Sequence, residues 1–151
     1  MVKNIFLLSD SNEVITRIQQ LNADSQPLWG KMAVGQMLAH CNVTYELVYE
    51  NIHQKPNFLM GILLKYLVKK YVVGDKPFEQ NVKTAPYFII KDDKDFESEK
   101  SRLINYISKT QGLGESYFDG KESHSFGVLT KSEWNNMFYK HLDHHLRQFG
   151  V

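Results

Sequence analysis

A single cysteine, Cys41, in 151 residues rules out an intramolecular disulfide, and an unpaired thiol points to a reducing compartment. An excess of charge of one sign is missing too. Eighteen lysines and arginines face 17 aspartates and glutamates, a formal net charge of +1. Nucleic-acid binding rests on a concentrated positive excess, so this balance argues against it. Long apolar runs are also lacking. The most membrane-like stretch, FLMGILLKYLVKKYVV at 58–73, is interrupted by Lys65, Lys69 and Lys70, whereas a span takes about 20 apolar residues. Near the start, only Ile5-Phe6-Leu7-Leu8 stands between Asn4 and Ser9, too short for the apolar core of a signal peptide. A cytoplasmic protein with no nucleic-acid and no membrane partner is expected.

Several catalytic signatures are absent as well. Residue 142 of the C-terminal HLDHH is leucine, so the His-Glu-x-x-His of a zincin and its general base are missing. A di-iron carboxylate bundle needs two Glu-x-x-His motifs and two further glutamates; only Glu50 and His53 stand at that spacing. There is no glycine-rich phosphate loop, dinucleotide fingerprint or nucleophile elbow. Cys41 points with Val34 and Val48 into a predicted core, the position of a small buried apolar residue rather than a nucleophile.

What remains is helical. Apolar content of 42% and charge of 23% are those of an ordinary globular chain, long enough for one domain with a real core. Val14, Ile15, Ile18 and Leu21 predict a helix over 11–21, and Val34, Leu38, Cys41, Tyr45, Val48 and Ile52 one over 32–53. A third follows over 58–73 with Gly74 as its C-terminal cap. A proline-punctuated loop, 75–91, precedes a helix over 93–110 whose Phe96, Leu103, Ile104 and Ile107 share a side. After a glycine-rich loop, Thr130 and Glu133 form a capping box that opens a last helix running to about Gln148. The expected fold is an all-α antiparallel four-helix bundle in one domain, 1–151, with a long crossover loop and a short extra helix.

At roughly 100° per residue, with Trp134 at zero, His141 falls at about −20° and His145 at about +20°, beside Phe138 at about +40°. Both histidines therefore lie on the buried face one turn apart. His144 sits on the flank near −80°, Gln148 near −40°, and Asp143, Arg147 and Lys140 on a side read as solvent. Imidazoles at i and i+4 can converge on one ion; without one, two buried rings need hydrogen-bond partners. Position alone leaves both readings open. A catalytic metal needs a third ligand and a free coordination position, and His40, at the edge of the apolar stripe of its helix, is the candidate. His53 closes that helix as a C-terminal cap would, and His124 falls in a polar loop.

Two blocks carry a resemblance. PLWGKMAVGQMLAHC at 27–41 and FGVLTKSEWNNMFYKHLDHHLRQFGV at 126–151 resemble the DinB/YfiT-like superfamily of metalloenzymes. The likeness is strongest to a branch of small bacterial proteins ending in His-Leu-x-His-His-Leu-x-Gln-Phe-Gly. The resemblance implies a four-helix bundle holding one divalent metal, zinc or nickel, on His40, His141 and His145; the wheel adds Gln148 and His144 beside that face as expected outer neighbours. It also implies a small-molecule substrate, a homodimer, and a thiol-dependent transferase using a low-molecular-weight thiol such as bacillithiol or mycothiol. A non-catalytic metal-binding bundle and a metal-dependent hydrolase are the alternatives. One departure is the HSFG loop at 124–127, where the family pattern has a proline and a second aromatic. The lysines of the 58–73 helix would suit anionic lipid, but an ordinary solvated edge explains them equally.

Overall fold

In the computed structural model, which describes residues 2–151, the chain is mostly helical with one two-residue hairpin. The first helix, α1, runs over Leu8–Gln20, three residues earlier than the periodicity predicts. Asn4 and Asp10 account for the shift. Asp10 accepts the Asn4 N–H at 2.8 Å, and the Asn4 side chain accepts that of Phe6 at 3.1 Å. This turn drops Ile5 and Phe6 into the core and starts the helix at once.

The second helix, α2, spans Val34–Tyr49 and is buried along most of its length. It ends four residues short of the expected His53. Glu50 is extended, and the reversal that follows brings His53 Nε2 back to within 2.6 Å of a Glu46 carboxylate oxygen. His53 thus pairs with a side chain rather than capping helix carbonyls.

The third predicted helix forms over its expected range but is not uniform. It divides into α3 (Phe58–Leu63), a π turn (Leu64–Val68) and α4 (Lys69–Val73), with the Asn57 side chain accepting the Met60 N–H at 2.9 Å at its start. Gly74 is the C-terminal cap as expected, in an extended conformation (φ −76°) rather than a left-handed one. Glycine is needed there for another reason: a Cβ would meet the Lys70 carbonyl oxygen at 2.5 Å.

The 75–91 loop contains a single 3-10 turn, Pro86–Phe88. Asp95 caps α5, Phe96–Leu113, by accepting the Ser98 N–H at 2.8 Å. The glycine-rich stretch is more ordered than its composition suggests. It holds the one-turn α6 (Glu115–Phe118) and a hairpin pairing β1 (Glu122–Ser123) antiparallel with β2 (Gly127–Val128). Burial of Phe118 against Phe6, Trp134 and Phe138 explains that order. The last helix, α7, is Lys131–Gln148, and its capping box is present as predicted: Thr130 accepts the Glu133 N–H and Glu133 accepts that of Thr130.

Helix α2 lies against α5 and α7, α1 lies against the same two, and α4 rests on α7. The shared core holds Ile5, Val14, Ile18, Leu38, Leu103, Ile107 and Leu142 with an aromatic stack of Tyr106, Tyr45 and Phe138, rings 5.5 and 5.1 Å apart. Each such side chain contributes about 1.5–3 kcal/mol on burial. Cys41 is buried among them as expected. No helix among the described residues is long and apolar enough to cross a membrane.

One reading of the α7 wheel is overturned. Lys140 does not face solvent: it is buried, and its ammonium donates to the carbonyls of Tyr71, Val72 and Gly74 at 3.0, 3.2 and 2.5 Å. Asp143 is likewise half-buried between Arg17 and Arg147, at 2.9 Å from each. The wheel sees one helix and cannot register that α4 and α1 cover its polar side.

Candidate metal centre

Two helices supply the histidines. His40 lies on α2, and His141 and His145, one turn apart, lie on the facing side of α7. Ring centroids are 4.9 Å apart for His40 and His141, 4.5 Å for His40 and His145, and 4.8 Å for His141 and His145. One ring nitrogen from each lies within 4.8 Å of the others. The three residues named from the sequence are therefore brought together.

Each ring is held by its other nitrogen. His40 Nδ1 lies 2.8 Å from the Phe88 carbonyl, His141 Nδ1 2.8 Å from Thr44 Oγ1, and His145 Nδ1 2.8 Å from Gln148 Oε1. Gln148 is itself oriented, because its amide nitrogen donates to the Trp29 carbonyl at 2.8 Å. Gly30 makes room for that bond: its φ is +82°, and a Cβ there would come 2.6 Å from Gln148 Nε2. Outer partners of this kind set tautomer and ring direction in metal-binding histidines.

These bonds assign protons. A carbonyl only accepts, so His40 Nδ1 carries the hydrogen and His40 Nε2 presents a lone pair. The same logic applies to His145, whose Nδ1 donates to the amide oxygen. His40 Nε2 faces His141 Nε2 at 2.9 Å. Two lone pairs cannot face each other at that distance unless a proton or a cation lies between them. Thr44, whose hydroxyl can donate or accept, lets His141 take either tautomer and so serve both states.

Burial keeps the imidazoles neutral. It is the main cause lowering the pKa of His40, opposed by the Phe88 carbonyl, and it brings His145 down to about 3. His141 is held well below the ordinary value, by burial first and then by the neighbouring imidazoles. Protons therefore do not compete for the nitrogens at neutral pH. Zinc–nitrogen distances of about 2.0–2.1 Å put tetrahedral ligand nitrogens about 3.4 Å apart; here His40 Nε2 and His141 Nε2 are 2.9 Å apart and one nitrogen of each ring lies within 4.8 Å of the others. Three neutral, pre-oriented imidazoles fit a divalent ion.

A cavity of about 670 Å³ opens beside the cluster, walled mainly by apolar groups such as Phe78, Phe88, Met137, Leu64 and Val68. His144 stands on the flank as expected, its ring edge-on to Trp29 and Phe78 at 5.9 Å, and is outside the three-histidine set. His124 also borders the cavity, its Nδ1 2.8 Å from Ser125 Oγ. Thr44 and the Phe88 carbonyl were not foreseen. Thr44 had a signal, since it stands one helical turn after His40; a backbone carbonyl in a loop leaves none.

No curated protein matches this chain, nor does any solved structure. A family model described as "Protein of unknown function (DUF1569)" matches residues 4–150. With nearly the whole chain matched, the protein belongs to that family.

Proposed function

We propose that the chain is a metal-dependent S-transferase of the DinB/YfiT-like kind. It would use a low-molecular-weight thiol and a small electrophilic substrate at a zinc or nickel site on His40, His141 and His145. The observation that carries this is the convergence of three imidazoles, one ring nitrogen of each within 4.8 Å of the others and each ring anchored through Nδ1, at the wall of an apolar cavity. The contacts among α1, α2, α5 and α7 support the antiparallel four-helix bundle that this reading entails.

His40, His141 and His145 would hold the divalent ion, which when bound would supply Lewis acidity that lowers the pKa of a thiol. The chain's own residues supply the rest. Phe88, Thr44 and Gln148 hold the rings in place, and Phe78, Phe88 and Met137 exclude water from the reacting atoms. A carbon–sulfur bond forms at the substrate's electrophilic carbon as its leaving group departs, and the thiol proton leaves with that group or to solvent. Transfer is preferred over hydrolysis through the resemblance of the 27–41 and 126–151 blocks; among the described residues the cavity wall contains one carboxylate, Glu79, which is exposed.

The test is elemental analysis of untagged protein beside His40→Ala and His141→Ala variants, followed by a thiol-consumption assay with a chromogenic aryl halide. One ion per chain, lost in both variants while circular dichroism stays helical, together with ion-dependent thiol consumption, is the expected result. Protein that neither contains nor takes up a stoichiometric divalent ion would overturn the reading. Ion binding without thiol consumption would leave a non-catalytic metal protein.

A further inference from the structure

The outer face of the α3–π–α4 segment is uncovered. Phe58 is 85% exposed, Leu59 77%, Tyr66 74% and Leu67 71%. Single exposed apolar residues are ordinary, but a contiguous set marks an interface. Leu63, one turn after Leu59 in α3, is exposed as well, and the exposed Tyr66 and Leu67 follow it in the π turn. Leu64, Val68 and Val72, on the other side, line the cavity. Leu67 belongs to both sets, so the outer stripe runs into the cavity mouth.

Charge identifies the occupant. From Asn51 to Gly74 there is no aspartate or glutamate, while lysines stand at 55, 65, 69 and 70. Lys69 is tied to Glu133 at 2.9 Å. Lys55, Lys65 and Lys70 are exposed, with no ion pair among the described residues. We propose that this face docks on an anionic lipid surface. Its Phe58, Leu59, Tyr66 and Leu67 would enter the acyl boundary while the three free lysines meet headgroup phosphates. A second copy suits the face less well, because two-fold pairing would set unpaired lysines against each other with no carboxylate in the segment. Docking brings the cavity mouth to the lipid and selects apolar substrates. The surface interaction itself stands apart from the metal reading.

The experiment is flotation of the full chain with vesicles of equal parts phosphatidylglycerol and phosphatidylcholine, and with phosphatidylcholine alone. A Leu59→Ser/Tyr66→Ser variant and a Lys65→Gln/Lys70→Gln variant accompany it. All four side chains are exposed, so both variants keep their helical signal. Anionic vesicles are expected to bind at least about tenfold more tightly than neutral ones, with both variants and added salt reducing that binding by about tenfold or more. Failure to bind either vesicle, or equal binding to both, overturns the proposal. If light scattering shows a dimer that Leu59→Ser/Tyr66→Ser splits, and vesicles do not bind, the face belongs to a second copy instead.

Discussion

Replacing Gln148 by leucine tests whether the histidine cluster is an organised metal site or three rings that happen to meet. Gln148 touches the cluster only through His145 Nδ1, at 2.8 Å, and is held by the Trp29 carbonyl, also at 2.8 Å. Leucine keeps the approximate volume and removes both bonds. His145 then has no fixed acceptor for its Nδ1 hydrogen and can move the proton to Nε2, the atom that must present a lone pair. Loss of an outer partner of this kind weakens metal binding about 10- to 100-fold, or about 1.4–2.7 kcal/mol. The fold also loses two buried hydrogen bonds and strands their partners, at about 1–3 kcal/mol each. At about 2–4 °C per kcal/mol for a chain of this size, the melting temperature should fall by roughly 4–24 °C. Competition with a fluorescent chelator at 25 °C reads the first effect, and thermal denaturation of metal-free protein reads the second. A zinc affinity within about twofold of the parent, in a variant that has lost stability as described, would refute an orienting role for Gln148.

Three further outcomes follow from the same geometry. Lys140→Met leaves three carbonyls at the end of α4 without their ammonium; unfolding in urea should show a loss of about 2–4 kcal/mol, and a change under about 0.5 kcal/mol would show that water replaces it. Burial pushes the Cys41 thiol pKa up, so a thiol reagent should modify it only as fast as the chain opens, and immediate reaction in native buffer would contradict its burial. Metal-free protein should lose stability on acidification. Because the folded-state pKa values of His40, His141 and His145 lie below their ordinary 6.5, the unfolded chain binds more protons just below that pH. The stabilising term is complete above pH 6.5 and is lost as pH falls toward the folded value of about 3 for His145, with a limiting slope of about 1.4 kcal/mol per pH unit for each imidazole. A flat melting profile between pH 6.5 and pH 4, within about 1 °C, would show that the rings are charged or exposed.

Residue order alone determined the helices, because their signals are local. Apolar spacing, the Thr130–Glu133 box and the proline-rich 75–91 loop all act within a few residues, so element type and approximate bounds could be read directly. Spacing also placed His141 and His145 on one face of α7, since i and i+4 geometry belongs to a single helix. Tertiary structure decided everything that needs a second element. It made Lys140 a buried carbonyl cap rather than a solvated lysine, and it put Thr44, Gln148 and a loop carbonyl behind three rings from two helices. It also left the outer face of α3 bare. A helix wheel fixes the direction in which a side chain leaves its own axis, but burial, tautomer and partner depend on what the rest of the chain sets in that direction.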